Sequence, residues 1–137
     1  MYRRTHIILH HTGAEEKDAA QVRRYHLQKG WRDVGYNFII ERDGKVVTGR
    51  SLLYPGAHCL ASNMNYRSIG IALIGNLELH QPTPAQVLAL QKLLKDLMQE
   101  HNILKQNILL HKQVPGAKTL CPGRYFPNEA DLFPPSG

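Results

Sequence analysis

The chain has 137 residues, 42% of them hydrophobic and 20% charged, a composition that suits one soluble domain with its own core and excludes wholesale disorder. Seventeen basic against eleven acidic residues leave a net charge of +6. That bias fits an anionic partner (nucleic acid, an anionic membrane surface, an anionic wall polymer) or simply a solvated basic surface. No apolar run approaches the roughly 20 residues that span a bilayer, and two cysteines, Cys59 and Cys121, do not make a disulfide scaffold.

The start, Met1 to Leu9, is basic but has only three apolar residues, Ile7 to Leu9, before His10. That is too short for a signal-peptide core, so Thr5 to His10 reads as a first strand ending at Thr12-Gly13. Synthesis in the cytoplasm is one expectation, a chain separated from a leader or partner domain the other. Side chains alternate along a strand, so His10 and His11 point to opposite faces and only one of them can join a given site.

Ala14 to Lys29 carries a helix-compatible pattern ending at Gly30, a suitable residue just past a helix C-terminus. His26 is expected on this helix as a surface or half-buried residue. Trp31 to Gly35 is turn-like and leads into a strand, Tyr36 to Glu41. An Asp43-Gly44 hairpin signal and a returning strand, Val46 to Gly49, follow. Arg50 to Arg67 reads as a long irregular loop, of the kind that is often functional or mobile. Ser68 to Ile74 is apolar almost throughout, as a central strand covered on both faces would be.

Thr83-Pro84-Ala85-Gln86 is the best helix start in the chain, with a capping threonine, a proline at the first helical position and a glutamine that can complete a capping box. Val87, Leu90, Leu93, Leu94, Leu97 and Met98 then trace an apolar stripe to about His101, with Met98 as core filler. Ile108 to Leu110 is a last strand, and Tyr125 to Phe133 holds a short helix before Pro134-Pro135. Strands interleaved with helices predict an α/β fold, a single domain whose central mixed β-sheet is flanked by helices.

His111 follows the last strand directly, and Cys121 lies ten residues on, across the Pro115-Gly116 bend. A loop that doubles back brings such an imidazole and thiol together. If the first and last strands are parallel neighbours, a histidine ending the first emerges at the same edge. Two nitrogens and one thiolate leave a zinc ion a fourth position for water, the pattern of a catalytic site. The spacing alone is equally compatible with a core histidine and an unrelated cysteine, and it leaves His10 and His11 as alternatives.

Five ordered segments carry more: Ile8-Leu9-His10-His11-Thr12, Gly30 through Phe38, Gly56-Ala57-His58, Asn65 through Gly75, and His111 through Gly123. Together, from about Thr5 to Phe126, they closely resemble the type 2 N-acetylmuramoyl-L-alanine amidases, relatives of phage T7 lysozyme and the peptidoglycan recognition proteins. The resemblance implies a zinc hydrolase that cuts the amide between the lactyl group of N-acetylmuramic acid and L-alanine of the stem peptide. It implies one Zn2+ held by His10, His111 and Cys121 plus water, with Tyr36 as the active-site tyrosine. Two places before the cysteine, where some members carry lysine and others threonine, stands Thr119, a neutral donor; Lys118, one place earlier, carries the charge an oxyanion would use and is the alternative.

His11, Trp31, His58, Asn65 and Arg67 are candidate substrate contacts, the last four with a structural alternative: Trp31 as packing for the helix end, His58 as a surface-loop histidine, Asn65 and Arg67 as loop-ordering groups. Cys59 reads as a small buried residue. His80 and His101 read as a loop and a helix-end residue. The expected partner is peptidoglycan or its muropeptide fragments, met by a monomer that makes up one amidase domain over 1–137, in phage lysis or in recycling. The competing reading is a module that binds peptidoglycan without cutting it. A nucleic-acid binder with a structural zinc is disfavoured, because no fourth ligand stands at finger-like spacing and the basic residues are not striped with aromatics.

Overall fold

The structure, a computed structural model, describes residues 2–135. Among the described residues, five strands form the sheet: β1 (His6–His11), β2 (Phe38–Ile40), β3 (Val46–Thr48), β4 (Ser68–Leu73) and β5 (Ile108–Leu110). Their spatial order is β3-β2-β4-β1-β5. Only the β2–β3 hairpin is antiparallel; β2–β4, β4–β1 and β1–β5 are parallel. The near-continuous apolar run of β4 is buried at every position and lies at the centre, as a strand covered on both faces must.

Helix α1 (Ala19–Gln28) starts later than the pattern from Ala14 suggests. Asp18 sets the start by accepting a hydrogen bond from Gln21 N, and Gly30 at φ +89° ends it. Helix α3 (Pro84–His101) has the full capping box of Thr83 and Gln86. Gln86 does more: its buried Nε2 donates to Ile40 O (3.1 Å) and Ile74 O (3.0 Å), tying the helix start to the ends of β2 and β4.

Alternation along β1 splits the core. Ile7 and Leu9 join Ile71, Leu73, Leu90 and Leu94 under α3, whereas Ile8 packs on the opposite face with Cys59, Met64 and Val114. His10 shares the parity of Ile8. Under α1, Ala19 and Val22 pack on Val34, Ile39 and Ile74.

The segment from Arg50 to Arg67 is more ordered than its composition suggests. It closes with a 3-10 turn (Ala61–Asn63) and a short helix α2 (Met64–Arg67). The buried Arg4 guanidinium holds it, donating to Leu52 O, Tyr54 O, Asn65 O and Ser68 O. Another 3-10 turn (Lys105–Asn107) leads into β5, and the tail helix α4 is confined to Glu129–Leu132. Among the described residues, no helix is long and apolar enough to cross a membrane.

Candidate metal centre

Parallel pairing of β1 with β5 sets Leu9 opposite Leu110, so His10 and His111 leave the same sheet edge with ring centroids 4.6 Å apart. His111 opens a 3-10 turn, His111–Gln113, where a plain loop was expected. The loop beyond it closes on itself. Ala117 N donates to Val114 O across the Pro115-Gly116 bend, with Gly116 at φ +91°, and Lys112 N donates to Cys121 O (2.9 Å). Buried Val114 anchors the loop beside Ile8 and Met64. Cys121 is thereby returned to His10, with 3.6 Å between Sγ and Nδ1.

One donor atom from each of His10, His111 and Cys121 lies within 4.8 Å of the others. Two imidazoles and a thiol are a donor set that suits zinc and leaves a coordination position open. His111 Nδ1 is buried with no hydrogen-bond partner among the described residues, an atom that a cation would satisfy. The residues fit the metal. Among the protein groups alone, burial first, and then the neighbouring imidazoles of His58 and His111, hold His10 well below the usual histidine range. Burial lowers His111 too and pushes the Cys121 thiol up to about 12. Both imidazoles are therefore neutral donors, and the thiol must release a proton on binding a metal.

Tyr36 stands just ahead of β2, half-buried, its ring 5.2 Å from that of His10. Burial, and then Cys121 and Glu16, raise its hydroxyl pKa. The ring borders a cleft of about 460 Å³ shared with Thr12, Glu16 and His26. Thr119 is half-buried, and its Oγ1 accepts from Cys121 N (3.1 Å). Lys118 is exposed.

The sequence profile of the N-acetylmuramoyl-L-alanine amidases matches residues 2–124. The chain belongs to this amidase family. The amidase is 38% identical over 135 residues to peptidoglycan-recognition protein SC2 of Drosophila melanogaster, an alignment covering 91% of this chain and 71% of that one. It is 40% identical over 86 residues to the endolysin of Escherichia phage T7, covering 59% and 56%. Its fold is similar to that of the N-acetylmuramoyl-L-alanine amidase LysC from Clostridium intestinale, with a TM-score of 0.84 and 35% identity, over 95% of this chain and 83% of LysC.

Two of the candidate substrate contacts in the amidase are buried, and a third, His11, is half-buried. His58 is 8% exposed, and its Nδ1 lies 2.9 Å from His10 Nε2; it is not a surface-loop residue. Asn65, also buried, accepts His58 N and Cys59 N on its Oδ1 (both 2.8 Å), and so orders the loop. His11 Nδ1 accepts from Leu77 N (3.0 Å), which spends that nitrogen on the backbone beyond β4. Arg67 remains exposed and donates to Ser62 O. Trp31 packs against His26 at the end of α1, with Lys29 Nζ 4.4 Å from its ring.

His26 is buried, not a surface residue, and its Nδ1 accepts from Gly35 N (2.9 Å). Sequence reasoning passed over Glu16, 9% exposed, whose carboxylate accepts from Thr12 Oγ1 (2.7 Å). An acidic residue in a charged run gives no sign that it will be buried.

Proposed function

We propose that His10, His111 and Cys121 hold one zinc ion, and that Tyr36 and Thr119 are the hydrogen-bond donors at the reacting amide. The reaction is the family's own: hydrolysis of the amide between N-acetylmuramic acid and L-alanine of the peptidoglycan stem peptide. The observation that carries the site assignment is the convergence of three donors within 4.8 Å from the ends of two parallel strands and one closed loop. Zinc, when bound there, lowers the pKa of a water towards neutrality and polarises a carbonyl.

The chain's own groups do the rest. Tyr36 keeps its proton at neutral pH, as an ordinary phenol with a pKa of about 10 does, and burial raises it further, so it donates to the carbonyl oxygen as charge develops there and does not act as a base. Thr119 accepts from Cys121 N, which leaves its hydroxyl proton for the same oxygen. Lys118, exposed and adjacent in the chain, is the alternative donor. Residues 1–137 form one amidase domain, a monomer acting on cell wall or its fragments, in phage lysis or in recycling.

The test is Cys121→Ser. Hydrolysis of defined muropeptides, followed by mass spectrometry of the products, falls by roughly 100-fold or more when a soft zinc ligand is lost, while pull-down on insoluble peptidoglycan persists. If hydrolysis survives the substitution unchanged, the metal assignment is wrong. If the unaltered protein binds peptidoglycan and releases no L-alanine-terminated peptide, the chain is a recognition module.

A further inference from the structure

We infer that His58 is a positioning residue that fixes which nitrogen of His10 faces the metal, an inference that rests on His10 being a zinc ligand. Proton directions follow from the far end of the chain of contacts. Met64 O can only accept, and it takes the single hydroxyl proton of Ser68 (2.7 Å). Ser68 Oγ is then an acceptor towards His58 Nε2, 3.4 Å away. With its proton on Nε2, His58 presents a bare Nδ1 to His10 Nε2 at 2.9 Å, so His10 carries its proton there. The remaining nitrogen, His10 Nδ1, is left bare on the side of Cys121 Sγ. A hydrogen-bond partner on the second nitrogen is the usual device that sets the tautomer and ring angle of a ligating histidine.

The ring of His58 sits in a slot built to its shape. A Cβ at Gly70, on β4, would lie 2.6 Å from the ring, and one at Gly56 also 2.6 Å from it. Neither glycine has a positive φ, so their backbones accept other residues and the ring is what excludes them. Asn65 Oδ1 takes His58 N and fixes the backbone behind the ring. Buried at 8% exposed, with its Nδ1 on His10 Nε2, His58 acts on the metal through His10.

Two isosteric substitutions separate positioning from filling. His58→Asn places an amide oxygen where Nδ1 was and keeps an acceptor for His10. His58→Gln places its amide near Nε2, keeps the Ser68 contact and loses the acceptor. Both keep a polar amide in the slot, so a merely structural role predicts similar losses in the two. Zinc affinity, read by competition with a chromophoric chelator, is expected within a few-fold of the unaltered protein for His58→Asn, and 10- to 100-fold weaker for His58→Gln, as for loss of the partner of a ligating histidine. Long-range nitrogen–proton NMR of the metal-free protein reports the His10 tautomer independently, with the proton on Nε2 in the unaltered protein and His58→Asn and a mixture in His58→Gln. Equal zinc affinity in the two variants overturns the inference, as does a His10 proton on Nδ1 in the unaltered protein. Zinc binding no tighter in the unaltered protein than in Cys121→Ser overturns the metal assignment, and the inference with it.

Discussion

Leu9 and Leu110 face each other in register across parallel strands β1 and β5, and the residue after each supplies an imidazole to the candidate metal centre. Because side chains alternate, a slip of one residue would present His11 in place of His10. The two histidines are not interchangeable. His10 is 1% exposed beside Cys121, whereas His11 is spent on Leu77 N. In chelator competition, His10→Ala is expected to weaken zinc binding roughly 100-fold or more, as befits one of three ligands. His11→Ala is expected to keep zinc within a few-fold and to lose thermal stability through the freed Leu77 N–H.

Tyr36→Phe separates transition-state stabilisation from metal binding. The ring stays packed 5.2 Å from His10, and only the hydroxyl goes. Loss of one donor to a developing oxyanion lowers kcat on the order of 100-fold. Zinc affinity and KM should hold, because the tyrosine is not one of the three converging donors. A comparable loss in Thr119→Val with little change in Lys118→Ala would assign the second donor to the threonine; the reverse would move it to the lysine.

Local signals were legible in the chain where one short stretch settles the outcome. The Thr83-Pro84-Ala85-Gln86 capping box, the Asp43-Gly44 hairpin, the buried β4 and the strand-end position of His111 each follow from a few neighbouring residues. What was not legible depends on distant pairing. His58 is interior only because Gly70, twelve positions on, lies in β4 and opens space for its ring. The Arg50–Arg67 segment is ordered in part by Arg4, more than forty positions earlier, which hydrogen-bonds its carbonyls. Burial of His26 likewise required Gly35 N to arrive at its Nδ1.

Gly123 ties the cysteine end of the loop to the rest of the fold. It has φ +94°, and a Cβ there would meet Leu77 C at 2.5 Å and Glu78 N at 2.7 Å. Both the backbone conformation and the space exclude a side chain. Gly123→Ala should cost about 2–4 kcal/mol of stability, combining left-handed strain with overpacking against backbone. It should also weaken zinc binding, since Cys121 lies only two residues away. Denaturant midpoints and chelator competition on the same variant check both effects.

Stability should fall as pH drops from about 6.5 to about 4, and His26 supplies one identifiable part of that fall. Burial, then Lys29 and Arg50, hold its pKa at about 4 in the folded protein, against about 6.5 unfolded. Between those values the unfolded chain binds a proton that the folded protein does not, so the slope of unfolding free energy with pH is positive, up to about 1.4 kcal/mol per pH unit for a full proton. The contribution is complete above about 6.5 and lost below about 4. His10, His58 and His111 are lowered too, so the unaltered protein alone cannot isolate it. His26→Asn keeps an acceptor for Gly35 N and removes the titration, and the difference between the two curves cancels the shared histidines. Carboxylates fall outside the upper part of this window. Glu15, held down to about 2 by the Asn76 N–H and the His80 ring, loses its contribution only below about pH 4.5. Chemical denaturation at half-unit steps from pH 7 to 4.5 is expected to give a shallower slope in His26→Asn, and parallel curves would show that His26 does not carry the shift.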